Sequence, residues 1–189
     1  LVTTRIVITG ATGFIGTALC KKLEKLKEYS IVKVTRSKDK SGFYNVKSYQ
    51  QSPIGDILIH LGENPDRGIV NKKGDLYRKE TGKVIESLLG KNYKKVIYCS
   101  TSAIYGDKGT EPYSENMETC ANDIYTKAKI ENEKRVLSAG GIVVRFSNVI
   151  GPGMSKNNVL SDIIKQLLNT EILEIQNIKP IRDFIWIDD

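Results

Sequence analysis

Hydrophobic runs and helical patterns alternate along this chain. Apolar runs rich in β-branched residues predict strands over residues 5–9, 31–35, 56–61, 94–100 and 141–147, with a weaker strand near 43–49. Two apolar stripes at helical spacing lie between them, formed by Phe14, Ile15, Leu19, Leu23 and Leu26, and by Leu76, Val84, Ile85, Leu88 and Leu89. This alternation is typical of an α/β fold, so we predict a doubly wound, mostly parallel sheet covered by helices on both faces.

One connection departs from the alternation. Roughly twenty residues separate the strand at 31–35 from the strand at 56–61, which is too short for a weak strand plus a full crossover helix. We therefore expect a loop or a single helical turn in this segment.

A glycine-rich segment follows the first predicted strand. In "RIVITGATGFIGTALCKKL", Gly10, Gly13 and Gly16 lie between the strand and the next helix. Backbone approaches a pyrophosphate closely only where side chains are absent, and the N-terminal end of a helix offers free N–H groups to that anion. This context predicts a dinucleotide-binding loop rather than a plain strand-to-helix turn. The residues assigned to cofactor binding here are Gly10, Thr12, Gly13, Phe14, Ile15 and Gly16.

The end of the second strand indicates which dinucleotide binds. NAD sites usually carry an acidic residue at this point, which accepts hydrogen bonds from the adenine ribose. This chain has Arg36 and Ser37, in "VTRSKDK". A guanidinium cannot accept a hydrogen bond, but it pairs with a 2′-phosphate through a bidentate contact. We assign both residues to cofactor binding and prefer NADP over NAD, with a solvated loop arginine as the alternative.

Other polar segments follow the carboxyl ends of later strands, where ligands of doubly wound sheets bind. Leu61 and Gly62, in "HLGE", end the strand at 56–61 and are assigned to the cofactor site. Thr101 and Ser102, in "YCSTSAIYGD", follow the strand at 94–100 and supply two hydroxyls. We expect all of them to share one rim of the sheet with the glycine loop.

The stretch "NDIYTKAKIENEK" places Tyr125 four residues before Lys129. On a helix this spacing puts both side chains on one face. The same spacing joins Tyr29 and Lys33, but that pair runs into a predicted strand, where residues four apart do not meet in this way. An ammonium beside a phenol favours the phenolate, which suits Tyr125 to acid/base catalysis, while a Thr101 hydroxyl can hold a substrate oxygen. We therefore interpret the pair as chemical rather than as a solvated helix turn.

Six motifs in order make the sequence resemble the extended short-chain dehydrogenases/reductases, also called the NAD-dependent epimerase/dehydratase family of nucleotide-sugar enzymes. They are "TGATGFIG", "DILIHLG", "VIYCSTSAIYGD", "YTKAK" with Glu133 beyond it, "VRFSNVIGPG" and "IRDFIWIDD". The resemblance implies a Rossmann fold and a catalytic trio of Thr101, Tyr125 and Lys129. It also implies that Lys129 holds the nicotinamide ribose of the cofactor.

The resemblance further implies a nucleotide-sugar substrate. Asn148 and Arg182 match positions that face the nucleotide-sugar phosphates, and we add Ser102 to this substrate-binding set. Family dehydratases carry an Asp-Glu pair after the catalytic threonine, where this chain has Ser102 and Ala103, so dehydration is disfavoured. Ala103 also lacks the thiol that epimerase-reductases use when they invert two carbons. We therefore predict an NAD(P)-dependent epimerase acting at one sugar carbon, as a 4-epimerase.

Two alternatives stay open. An NADP-dependent keto-sugar reductase is supported by Arg36, and a non-catalytic NAD(P)-binding sensor or scaffold is supported by the range of functions that this fold hosts. Three departures from the family pattern leave the cofactor contacts open: "VKSYQQS" lacks an acid that contacts adenine, Tyr77 replaces an asparagine, and "HLGE" replaces "HLAA".

Four further residues have simpler interpretations. His60 lies in a buried strand pattern and is read as a packed core residue. Arg145 is expected to pair with a carboxylate, and Tyr105 to form a wall of the pocket. Glu63 is a candidate substrate contact.

The composition of the chain bears on its binding partners and on its cellular compartment. The net charge is +7, but the lysines are scattered and no basic helix or aromatic platform organises them, so we expect no nucleic-acid partner. No apolar run has transmembrane length, so we expect no membrane partner and a cytoplasmic protein. A homodimer is compatible with this reading. Three cysteines without metal-type spacing and one histidine predict reduced thiols and no metal site.

We assign residues 1–150 to a dinucleotide-binding Rossmann domain. Residues 151–189 then form only the beginning of a smaller C-terminal substrate domain, since the family continues for about a hundred residues or more beyond this point. We accordingly read the chain as a fragment of a longer enzyme.

Overall fold

The computed structural model places strand β1 (Thr4–Thr9) at the centre of a parallel sheet. The structure describes residues 3–109, 111–169, 171–175, 177–179 and 181–189. The other strands are β2 (Tyr29–Thr35), β3 (Tyr44–Asn45), β4 (Ile57–His60), β5 (Lys95–Thr101), β6 (Ile142–Phe146), β7 (Asn148–Ile150) and β8 (Phe184–Trp186). The helices are α1 (Phe14–Leu23), α2 (Arg67–Lys73), α3 (Asp75–Leu89), α4 (Ile124–Ser138) and α5 (Val159–Leu167). Short 3₁₀ turns cover Tyr49–Gln51 and Ser102–Tyr105.

The main sheet has the strand order of a Rossmann fold. Within the described residues its order is β3-β2-β1-β4-β5-β6, and each neighbouring pair is parallel. This order confirms the predicted doubly wound sheet. It also places the carboxyl ends of β1, β2, β4 and β5 along one edge, as the sequence predicts.

Alternate residues of β1 enter two separate cores. Ile6 and Ile8 pack in one cluster with Cys20 of α1, while Val7 packs in a second cluster with Ile85 of α3 and Val136 of α4. A strand that is buried on both faces has no polar alternation, which is why its sequence reads as a continuous apolar run. The helices therefore cover both faces of the sheet.

Several predicted elements need correction. Helix α1 ends at Leu23, so Leu26 lies outside it and is exposed. In α3 the buried position belongs to Tyr77, while Leu76 faces solvent. The weak strand near 43–49 is reduced to the two residues of β3. The short connection from β2 to β4 holds one 3₁₀ turn and no crossover helix, as expected.

Residues from Ser147 to Asp189 form a second unit, separate from the unit that ends at Phe146. In it β7 and β8 pair in parallel, with Asn148 opposite Phe184. The Asn158 side chain accepts a hydrogen bond from Ser161 N and so begins helix α5. The assignment of residues 1–150 to one domain stays a prediction.

None of the described helices combines the length and apolar character that a bilayer span requires.

Candidate active site

The glycine loop lies against the end of β4. Gly10 has φ +70°, and a Cβ at this position would lie 2.5 Å from the carbonyl oxygen of Leu61. A Cβ at Gly16 would collide with the Gly10 carbonyl, so the loop and α1 approach closely only because both residues are glycine. Gly13 is the N-cap of α1 and has no side chain that could accept from the first N–H groups of the helix. These N–H groups therefore stay available at the loop.

A cavity of about 420 Å³ opens beside this loop. Its lining residues come from the ends of β1 and β2 and from the 3₁₀ turn; they are Thr12, Thr35, Arg36, Ser37 and Tyr49. Three of them, Thr12, Arg36 and Ser37, belong to the predicted cofactor set. The structure thus gathers these residues around one space at the predicted edge of the sheet.

The Arg36 side chain is held in place on two sides. Its Nη2 donates to the carbonyl oxygen of Gly62 at 3.3 Å, and its guanidinium lies over the Tyr49 ring, 4.8 Å from the centroid. Such stacking stabilises a guanidinium by cation–π attraction. Arg36 is exposed but contacts the protein on two sides, and its contact with Gly62 joins the ends of β2 and β4.

Helix α4 carries Tyr125 and Lys129, as predicted, and begins at a dense polar cap. The Asp123 carboxylate accepts from Thr126 N at 2.8 Å and from Asn71 Nδ2 at 2.9 Å, and Arg67 also donates to it. Asn71 in turn accepts from Tyr125 N at 3.1 Å. Helix α2, which the sequence analysis missed, therefore fixes the start of α4 and the backbone of Tyr125.

The hydroxyl of Thr101 lies at the last residue of β5. Its Oγ1 accepts a hydrogen bond from Ala103 N at 3.2 Å and caps the 3₁₀ turn that begins at Ser102. A hydroxyl that accepts in this way keeps its own O–H available as a donor.

Lys129 connects α4 to the end of β5. Its Nζ donates to Cys99 O at 2.9 Å, two residues before Thr101, and forms an ion pair with Glu63 Oε2 at 2.9 Å. The ammonium also lies over the Tyr98 ring, 4.9 Å from the centroid. Burial works against the charge, but Glu63 and Tyr125 outweigh it and raise the pKa of Lys129. The lysine is therefore a buried cation.

Glu63 is engaged by protein groups on both carboxylate oxygens, although we read it as a candidate substrate contact. Its Oε1 accepts from the Tyr98 hydroxyl at 2.9 Å and from Asn132 Nδ2 at 2.8 Å. Burial alone would favour the neutral acid, but Lys129 above all lowers the pKa of Glu63. Both members of the pair are thus charged.

Two other sequence interpretations are confirmed by their contacts. His60 is buried, with Nδ1 2.7 Å from Thr9 Oγ1 and with aromatic rings near it, and burial lowers its pKa to about 4. Arg145 pairs with Glu133 at 2.7 Å and donates to the Tyr105 hydroxyl at 2.7 Å. These residues support the site from the core.

The two remaining predicted substrate residues lie in the second unit. Asn148 Nδ2 donates to Asp183 O at 3.0 Å, next to Arg182 along the chain. Arg182 is exposed and donates to the Ile181 carbonyl oxygen. Pairing of β7 and β8 brings these two residues near each other within that unit.

All three cysteines are unpaired, as predicted. Among the described residues, no group of three or more histidine, cysteine, aspartate or glutamate side chains is arranged to hold a metal ion.

Comparison with protein families identifies this chain. The model of the NAD dependent epimerase/dehydratase family matches residues 6–189. The chain belongs to this family. Membership confirms the enzyme class predicted from the six motifs, that of extended short-chain dehydrogenases/reductases.

Individual relatives within the epimerase/dehydratase family are distant. A GDP-6-deoxy-D-talose 4-dehydrogenase from Aggregatibacter actinomycetemcomitans is 28% identical over 203 residues, which cover 98% of this chain and 67% of the relative. The crystal structure of a UDP-glucuronic acid 4-epimerase from Bacillus cereus, in complex with UDP-glucuronic acid and NAD, matches with a TM-score of 0.81 at 23% identity. That match covers 97% of this chain and 69% of that one.

A second solved structure agrees with this fold. A UDP-galactose 4-epimerase matches with a TM-score of 0.77 at 26% identity, covering 97% of this chain and 68% of that one. The chain thus spans about two thirds of the length of the proteins it matches. The shared part is nearly the whole of this chain, including the Rossmann sheet and its rim.

Sequence reasoning missed several residues of this epimerase/dehydratase site. Tyr49 gives no local signal, because its role depends on a ring lying under Arg36. Asn132 and Tyr98 were not selected either, although Asn132 follows Lys129 by three positions and shares its helix face. The departure "HLGE" from the usual "HLAA" was a usable signal for the buried carboxylate of Glu63.

Proposed function

We propose that this chain is the cofactor-binding part of an NAD(P)-dependent nucleotide-sugar 4-epimerase. The observation that carries the proposal is the arrangement on α4, where Tyr125 lies one turn before a buried, charged Lys129 that is anchored at the end of β5. A lysine on a helix is normally solvated, because burying its charge costs free energy. A buried, charged lysine therefore indicates a functional role.

The rim residues fit a dinucleotide. The close approach of Gly10 to Leu61, the free N-terminal end of α1 and the 420 Å³ cavity beside them together suit a pyrophosphate and an adenosine. We assign Gly10, Thr12, Gly13, Phe14, Ile15, Gly16, Arg36, Ser37, Leu61, Gly62 and Lys129 to the cofactor. Because Arg36 is held at the edge of the cavity, a 2′-phosphate would meet a placed guanidinium, so we prefer NADP to NAD.

Each member of the trio has one task. The Thr101 hydroxyl, which keeps its O–H free, holds the reacting sugar oxygen, and the Tyr125 phenol moves the proton of that oxygen. The Lys129 ammonium, one turn after Tyr125 on α4, binds the nicotinamide ribose. The bound cofactor supplies the acceptor and donor of hydride.

Relatives support chemistry at one position of the sugar. The names of the talose enzyme and of the two epimerases all specify position 4, and each specifies a nucleotide sugar. We assign Ser102, Asn148 and Arg182 to the substrate. A cytoplasmic location and a homodimer stay predictions.

An NADP-dependent keto-sugar reductase is the second candidate. It is favoured by Arg36 and by the relative named as a 4-dehydrogenase. An epimerase retains its cofactor through each cycle, whereas a reductase or dehydrogenase changes it in proportion to product. Incubating the whole protein with UDP-linked and GDP-linked hexoses while recording absorbance of the reduced nicotinamide separates the two.

Tyr125→Phe tests the catalytic role itself. We expect turnover to fall by about a hundredfold or more, since general acid/base catalysis contributes at least this factor. Tyr29→Phe is the matched control, because Tyr29 also precedes a lysine by four residues but lies on strand β2. Unchanged turnover in Tyr125→Phe would refute the trio and favour the non-catalytic sensor or scaffold.

A further inference from the structure

The carboxylate of Glu63 forms a buried ion pair with Lys129. The side chains of Lys129 and Glu63 are 8% and 6% exposed, and their charged atoms lie 2.9 Å apart. Surface pairs of this kind contribute little to stability, but a buried pair strongly affects the charge of both partners.

Glu63 cannot easily turn away from the lysine. Tyr98 from β5 and Asn132 from α4 both donate to its Oε1, which leaves Oε2 for Lys129. Two elements, β5 and α4, therefore hold one carboxylate, and this carboxylate in turn holds the ammonium.

The contacts of the Lys129 ammonium are of two kinds. It donates a hydrogen bond to Cys99 O, and it has the Glu63 carboxylate as an ion-pair partner at 2.9 Å. Without Glu63 the ammonium would keep the contact with Cys99 but would have no counter-charge at contact distance.

Among the described residues, the other titratable groups around the pair do not supply a second anion. Tyr98 and Cys99 of β5 are neutral, since burial raises the pKa of both, and burial keeps His60 of β4 neutral at pH 7. Tyr77 of α3 is likewise neutral because burial raises its pKa, and Tyr125 lies on the same helix as Lys129. Arg36 is a more distant positive charge that would work against a second cation. Glu63 is thus the anion that compensates Lys129.

We propose that Glu63 is a positioning residue that keeps Lys129 a charged and anchored ammonium beside the cofactor ribose. The role of the lysine at the ribose rests on the proposed function, but the effect of Glu63 on the lysine does not. Removing the carboxylate leaves a buried cation without a counter-charge, and such a lysine loses its proton at lower pH.

The test is an NMR titration of Lys129 in the whole protein without cofactor. Lysine is labelled with ¹³C at Cε, and the Lys129 signal is assigned by its absence in Lys129→Met. We expect the midpoint in Glu63→Gln to lie at least about one pH unit below that of the wild type. Glu63→Asp keeps the charge and should titrate closer to the wild type than Glu63→Gln does.

Glu24→Gln is the matched control, because Glu24 pairs with Lys33 at the surface and makes no contact with the site. It should leave the Lys129 titration unchanged. A midpoint in Glu63→Gln equal to that of the wild type would overturn the proposal.

A second measurement tests the proposal if the Glu63→Gln protein is too unstable for the titration. If the uncompensated charge is the cause, the double variant Glu63→Gln/Lys129→Met should unfold at a higher urea concentration than Glu63→Gln alone. A double variant that is no more stable would also refute the proposal. The Tyr125→Phe experiment fails or succeeds independently of these titrations, so the two ideas are refuted by different results.

Discussion

Replacing Gly10 with alanine should destabilise the glycine loop for two reasons, backbone strain and a steric collision. Gly10 has φ +70°, which an L-residue rarely adopts, and its missing Cβ would lie 2.5 Å from the Leu61 carbonyl oxygen. Gly42 has φ +77°, yet a Cβ there would meet nothing within 4 Å. Gly42→Ala therefore introduces the same backbone strain without the collision.

The expected magnitudes follow from these distances. The left-handed backbone costs a non-glycine residue about 1–2 kcal/mol, which applies to both variants. At Gly10 the new methyl group must also gain about 1 Å of separation from backbone atoms of Leu61, since carbon atoms pack at about 3.5 Å or more. Overpacking of this kind costs about 1–3 kcal/mol more, so Gly10→Ala should lose about 2–5 kcal/mol in total.

Urea denaturation and cofactor titration of the whole protein measure the two effects. We expect Gly42→Ala to lower the free energy of unfolding by about 1–2 kcal/mol and to leave NADP and NAD affinity unchanged. Gly10→Ala should lose more stability and at least about tenfold in affinity for both cofactors, because the shift displaces the loop to which we assign the pyrophosphate. Equal losses in both variants would refute the close-approach argument, and unchanged affinity in Gly10→Ala would refute the placement of the cofactor.

Three further predictions concern stability and specificity. Burial lowers the pKa of His60 to about 4, against about 6.5 in the unfolded chain, so the unfolded state binds the extra proton between these values. The free energy of unfolding should therefore fall by about 3 kcal/mol from pH 6.5 to pH 4. Urea titrations at each pH measure this, and a stability that stays constant over the interval would contradict it. Glu133→Gln leaves Arg145 without its carboxylate partner and should lower the unfolding free energy by about 3–5 kcal/mol in urea. Glu24→Gln at the surface should change it by less than about 1 kcal/mol. Arg36→Asp should weaken NADP binding by several kcal/mol while sparing NAD, as measured by titration of both cofactors; an equal loss for both would withdraw the NADP preference.

The alternation of apolar segments predicted the fold because a parallel sheet buries its central strands on both faces. Continuous runs such as that of β1 are therefore visible in the sequence alone. Helix α2 was missed because its seven residues, "RGIVNKK", are too few to show a helical period. The strands β7 and β8 have three residues each and give no period-two pattern either. Short elements depend on tertiary contacts that no local pattern reports.

In the candidate site, too, residues close in sequence could be predicted and contacts between distant residues could not. The glycine loop and the spacing of Tyr125 and Lys129 are local patterns, so the sequence placed both. Glu63, the partner of Lys129, does not follow from a local pattern. It meets α4 only in the folded protein, since Glu63 and its hydrogen-bond donor Asn132 are 69 positions apart in the sequence. The stacking of Arg36 on Tyr49 likewise needs the turn between β3 and β4, whose geometry the sequence does not specify.

The central place of β1 sets an order of events during synthesis. Among the strands of this sheet β1 is translated first, and the strands on both sides of it, β2 and β3 on one side and β4, β5 and β6 on the other, follow it along the chain. Protein chains generally fold from the N-terminal part as they emerge. The glycine loop needs only β1, α1 and the end of β4, all of which precede α4 along the chain. The glycine loop and the backbone that it packs against are therefore translated before the helix that carries Tyr125 and Lys129.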